Sequence, residues 1–507
     1  MAWKSFKIIL LFEFCSNLLF AQGLSNNWLL GYWYWPIIQP PATSAKAKID
    51  FFGGSPLANA IQTKMIFNRT QANISDSAGN LLMSSNGIFI ANTQGDTMLN
   101  GAGLNPDPLV LTNGYAGLWL ANGNVFLPYP VDSNKYILFH QSVLDTPICC
   151  NVIMYYSIID LTLDGGLGAV IQKNTLMQLP RLAGGLTATK HANGRDWWIL
   201  VAQDTSNTIW KILLTSQGIT SITSQVFPIN LTFFDSQSQA CFSPDGTKYA
   251  FTTITGISAN KYENIIRFFN FDRCSGNLSE LSSLTITDSS NCFGLTFSPN
   301  SKFLYACSNK VIYQLNTDSV NVASSIDTVA LYDGFQGGIT NQFELLYRAN
   351  DNKIYISTYG GSLYLGCITA PDSAGSACNV QQHSLSIPCY NTKSVPNHPN
   401  YFLGAEIGSP CDTLLGVKAS KNNFENGFTI APNPAKEEAS VYFNNDLNEA
   451  CTIEILNSNG ILIDQKKVSY SGKPYRLVTS SLANGVYFLK IISSTKSTFI
   501  RKLIIVK

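Results

Sequence analysis

The chain has 507 residues and a formal net charge of +1, enough for two or three domains and too balanced for a non-specific nucleic-acid binder, which needs a basic field. Charged residues make up 13% and aromatics 12%, which excludes a coiled coil or a disordered chain and suits β-structure with Ser, Thr and Asn on its surface. Twelve cysteines without a Cys-x-x-Cys pair argue against a zinc site and for an oxidising compartment.

The first segment, 1–21, reads as an export signal. Lys4 and Lys7 give it a positive start, 8–20 is mostly apolar, and Ala21 is a small residue at its end. The run is short and carries Glu13 and Asn17, whereas a membrane span needs about 20 clean apolar residues. No later stretch is long and apolar enough, so no transmembrane segment is expected.

From 22 to 415 the sequence is a succession of short strands, such as 155–160, 197–202, 265–271 and 363–368, each bounded by turn-forming residues. Six tight turns recur, around Gly79, Asn134, Gly194, Gly246, Ser301 and Asn352, each feeding an apolar strand. Neighbouring turns lie about 51 to 60 residues apart, the period of a four-stranded propeller blade. The chain is therefore expected to be all-β, beginning with a β-propeller. Division by the period gives about seven blades, with six open because only six turns are clear. A seventh blade would combine the two ends of the region and close the ring.

Several strings in this region resemble a family of secreted bacterial propeller proteins. They are 155–170, Lys190 to Trp198, Phe271 to Leu278, Phe297 to Ser301, and Pro396 to Tyr401 continuing through 408–413. Such proteins are similar in architecture to tryptophan–aspartate-repeat propellers and occur with type IX secretion. The resemblance implies an address more than a chemistry.

Residues 416–427 read as a polar linker, and 428–507 as an immunoglobulin-like sandwich of short strands. This last segment resembles the type A C-terminal sorting domain of type IX secretion. The residues carrying the resemblance are Pro432, Asn433 and Pro434 at its start and Asn459 and Gly460 in its middle. Leu482, Gly485, Val486, Tyr487 and Lys502 complete it towards the end. It implies a partnership with the type IX machinery and a secreted or outer-membrane surface location, reached by Sec export and the periplasm.

Cys274 and Cys292 each lie beside a repeat turn, and Cys367 and Cys378 bracket a hairpin-like loop, so both pairs are candidate disulfides. The vicinal Cys149 and Cys150 are expected to seek different partners, and Cys451 is expected to be buried and unpaired. Only four histidines occur, and neither a Gly-x-Ser-x-Gly elbow nor a His-Glu-x-x-His motif is present. His191, with Arg195 and Asp196 beside Trp197 and Trp198, is the best candidate for chemistry. A packing and hydrogen-bond network is the competing reading of the same residues. The stretch from Ser243 to Lys248 is partly similar to a sialidase turn, but Lys248 stands where that turn has Trp. No catalytic residue, cofactor or metal ligand is assigned. Two functions are weighed: a non-catalytic surface scaffold for protein or polysaccharide, and a secreted hydrolase or lactonase working in the propeller channel.

Overall fold

Seven antiparallel sheets follow one another along residues 27–391. The computed structural model describes residues 23–31, 46–52, 54–112, 117–144, 151–228, 239–258, 261–288, 290, 292–336, 341–393, 395–412, 428–443, 450–457, 462–469, 474–493 and 498–507. The signal segment, the linker, and Cys15, Cys149, Cys150, Asn459 and Gly460 lie outside the described residues. Contacts divide the chain into two compact units, 1–414 and 415–507.

The first strands of the seven sheets are β1 (Asn27–Leu30), β2 (Ala72–Ser75), β3 (Asn124–Pro128), β4 (Thr187–Lys190), β5 (Ala240–Phe242), β6 (Cys292–Phe297) and β7 (Phe343–Arg348). β1 lies against β2, β2 against β3, β4 against β5, β5 against β6, and β6 against β7. The first strands thus line the axis of a ring, and the fold is a seven-sheet β-propeller. Sheets two and three are joined at their outer edges by a parallel pairing of Ala169 with Leu99. The last strand of the seventh sheet, Val380–Asn391, packs on Lys46–Asp50 and Leu57–Ile61 of the first, closing the ring. Trp28 and Phe51 meet Tyr355 edge-on at that seam, each with ring centroids 5.5 Å away.

The first sheet has three strands, all from the N-terminal end, and does not combine the two ends as expected. The C-terminal end of the unit is used elsewhere. Residues 395–412 leave the last sheet and cross the ring instead of pairing at a sheet edge.

The recurrent turns each connect a first strand to its second. In the fifth sheet the Ser243 amide donates to the Lys248 carbonyl at 2.9 Å, and the Ser243 Oγ accepts the Lys248 amide at 2.9 Å. Asp245 Oδ1 accepts the Thr247 amide, and Gly246 takes φ +72°, where a side chain would also strike Leu403. The sixth sheet repeats this with Ser298, Phe303 and Ser301.

The second unit is two sheets around one core. Phe428–Ala431, Glu438–Phe443 and Tyr475–Val478 form one sheet. Leu462–Ser469, Ala450–Asn457, Gly485–Ser493 and Thr498–Ile505 form the other. Val441, Ile453, Leu489 and Ile505 fill the space between them. No helix among the described residues is long and apolar enough to cross a membrane.

Candidate functional site

The crossing segment 395–412 acts as a strap over the centre of the propeller. Asn397 Nδ2 donates to the carbonyls of Asn124 and Leu186, both at 3.0 Å, while its backbone amide donates to the Gln71 carbonyl. One asparagine therefore ties three sheets. His398 Nε2 donates to the Asn73 carbonyl at 2.7 Å. A carbonyl only accepts, so the proton sits on Nε2 and Nδ1 presents a lone pair, which is buried without a partner among the described residues. Burial lowers the His398 pKa to about 4, so the ring is neutral at physiological pH. Further along, the Tyr401 hydroxyl donates to the Phe126 carbonyl, and Arg273 Nη2 donates to the Gly404 carbonyl at 2.6 Å. A disulfide from Cys411 to Cys274 ends the strap on the fifth sheet.

That disulfide corrects the expected pairing of Cys274 with Cys292. Cys274 follows the third strand of the fifth sheet. Cys292 comes after the whole fourth strand, Leu278–Asp288. Eleven extended residues at about 3.3 Å each carry the chain to the opposite end of the ring. Cys367 and Cys378 are also unpaired, both as buried thiols. Cys367 faces the core shared with the first sheet, and Cys378 faces the core shared with the sixth, so the sheet lies between them. Cys451 is a buried free thiol of the second unit.

The His191 turn lies beside the strap. His191 Nε2 donates to the Cys274 carbonyl at 3.0 Å, and Nδ1 accepts the Asn193 amide at 3.1 Å. Asp196 is held by Arg195 through Nε at 2.7 Å and Nη2 at 2.9 Å, and by Asn193 Nδ2 at 2.7 Å. Burial alone would raise the Asp196 carboxyl. The hydrogen bonds from Arg195 and Asn193, with the charge of Arg195, outweigh it and hold the group below its ordinary range. The His191 amide donates to the Asp196 carbonyl at 2.8 Å, while its ring makes no bond to the Asp196 carboxylate among the described residues. It contacts the Trp198 ring, whose Nε1 donates to the Arg273 carbonyl at 2.9 Å. Trp197 instead donates to the Pro128 carbonyl of the third sheet and lies under the Lys190 ammonium, 3.8 Å from its ring centroid.

Between the strap and strands β4 to β7 is a cavity of about 60 Å³ with a polar lining. Its amides are engaged: Gln239 Nε2 donates to the Leu346 carbonyl, Gln239 Oε1 accepts the Leu295 amide, and Asn122 bridges the Ala240 carbonyl and the Tyr347 hydroxyl. Arg348 also lines it. Sequence reasoning missed Arg348, Asn397 and Cys411. The one local signal was the crowding of Asn and His between prolines at 396–400.

In the second unit, Asn433 Nδ2 donates to the Lys502 carbonyl at 2.7 Å and its Oδ1 accepts the Ile504 amide at 2.8 Å, pinning the opening segment to the last strand. Pro432 and Pro434 flank it, each after a cis peptide bond. Leu482 is in the core, Gly485 begins a strand, and the Tyr487 hydroxyl donates to the Ala483 carbonyl. Residues 429–506 match the secretion system C-terminal sorting domain. The sorting domain carries an address in the type IX system, to the cell surface or outside the cell, and implies interaction with that machinery. No curated protein matches the chain. Among solved structures, the chain is similar to a functionally unknown protein from Desulfotomaculum acetoxidans, with 12% identity, 74% of this chain and 100% of that one covered, and a TM-score of 0.36. It is also similar to the Nup133 β-propeller domain of Vanderwaltozyma polyspora, with 8% identity, 62% and 86% covered, and a TM-score of 0.30. A puromycin hydrolase shows 11% identity over 69% of this chain and 53% of that one, with a TM-score of 0.35.

Proposed function

We propose that the protein is a secreted or cell-surface propeller scaffold that binds protein or glycan without catalysing a reaction. Its export would follow Sec translocation into the periplasm and then type IX passage, directed by a type A sorting domain at 428–507. The observation that carries this reading is the strap. Asn397, His398 and Tyr401 occupy the centre of the ring and donate their polar hydrogens to the carbonyls of the second, third and fourth sheets. A propeller enzyme places reactive groups at that centre, facing its substrate. Here His191 also has both ring nitrogens engaged with backbone. The loop faces of the ring are then the surfaces left for a partner.

The competing reading is a hydrolase or lactonase using the channel. Incubating the purified full-length chain with glycan, lactone and peptide panels separates the two. Saturable binding to a glycan or protein array without turnover is the expected result. Turnover lost on changing a channel residue would replace the scaffold reading with the enzyme one.

A further inference from the structure

The central cavity has one feature that its structural role does not explain. Arg348 ends β7 with its side chain among the cavity-lining groups, and among the described residues it makes no hydrogen bond or ion pair. The carboxylate whose charge reaches it is Asp372, whose Oδ1 accepts the Asn300 amide. None of the residues lining the cavity is acidic. The Arg348 side chain is half-buried, and burial lowers the guanidinium's affinity for its own proton, with the Asp372 charge opposing this only in part. Across the cavity, Thr187 and Thr189 of β4 and Thr296 of β6 are buried, and their hydroxyls have no partner among the described residues. The Gln239 and Asn122 amides of the lining, in contrast, are committed to backbone groups and the Tyr347 hydroxyl. The unspent donors are thus one cation and three hydroxyls, contributed by three different sheets.

We infer that the cavity binds a small carboxylate, received by the Arg348 guanidinium and by the Thr187 and Thr296 hydroxyls. A planar carboxylate matches the two-pronged donor geometry of arginine. The volume of about 60 Å³ limits the ligand to the size of a few waters, in the range of formate or acetate. Bound there, it would join the fourth, sixth and seventh sheets directly beneath the strap. Binding to the folded state alone raises stability with ligand concentration. The inference does not depend on the surface-scaffold reading, because the cavity is inside the ring and not on a loop face.

The test is thermal unfolding of the full-length chain in sodium acetate, sodium phosphate or sodium chloride at matched ionic strength. Acetate is expected to raise the melting temperature saturably above chloride. Arg348→Met is expected to abolish that rise. Thr296→Val, which keeps the shape and removes the hydroxyl, is expected to weaken acetate binding about tenfold, the effect of a 1.4 kcal/mol loss. Equal shifts in acetate and chloride would overturn the proposal, as would an acetate response unchanged in both variants. A response to phosphate alone, lost in Arg348→Met, would overturn the carboxylate assignment.

Discussion

His191 spends both ring nitrogens on backbone groups, so its removal has a defined cost. His191→Ala strands the Cys274 carbonyl and the Asn193 amide in a largely buried turn. A loss of about 1–3 kcal/mol in unfolding free energy is expected, read by urea denaturation at neutral pH. An unchanged midpoint would reopen a chemical role for this residue. His140 and His398 give a second expectation at the same scale. Burial lowers the His140 pKa to about 3 and the His398 pKa to about 4. In the unfolded chain a histidine takes up its proton near pH 6.5. Between these values the unfolded state binds more protons than the folded one, so stability falls as pH drops below about 6.5 and levels off near 3 to 4. Unfolding free energies at pH 7 and pH 5 check the sign, and His398→Asn is expected to make the decline shallower.

At the scale of elements, the strap depends on its covalent end. Cys411→Ser removes the covalent tie between the strap and the fifth sheet and is expected to cost about 2–5 kcal/mol. A reductant is expected to lower the unfolding midpoint of the parent chain but not of the variant. Maleimide labelling of Cys274 in the untreated native protein would contradict the bond. The strap also shows where sequence reading stops. The recurrent turns were legible because their partners are local: Ser243 is bonded to Lys248 five residues on, and Ser298 to Phe303 likewise. Residue type and spacing suffice for such contacts. Asn397 bonds a carbonyl 273 residues away, and Cys274 and Cys411 are 137 apart. No local pattern encodes those distances, and the pairing of Cys274 with a near neighbour failed for that reason. The polar lining of the cavity was illegible on the same ground, since Thr187, Thr296 and Arg348 face one cavity only after the ring has closed.

For the whole molecule, two units joined through 413–427 give an expectation about processing. Limited proteolysis is expected to cut near 418–426 and leave fragments of about 43 and 9 kDa, at roughly 110 Da per residue. Cuts confined to 22–412 would count against separate folding units. Deleting 428–507 is expected to leave the propeller folded and held in the periplasm, as followed by fractionation. Efficient secretion of the truncated chain would remove the sorting role from this segment.

The seam between the first and last sheets also sets a clock on synthesis. Trp28 is buried against Tyr355, and Ser25 Oγ donates to Asn350 across 325 residues of chain. A ribosome that has made the first six sheets has therefore produced an arc whose leading edge has no neighbour. Closure has to await β7, and the strap emerges later still. Contacts this distant in sequence form slowly, so the newborn chain stays open through most of translation. Accessibility at position 28 can report it: in ribosome-arrested chains ending before residue 340 a probe placed there is expected to be open to aqueous quenchers, and in chains extended well past 412 to be shielded.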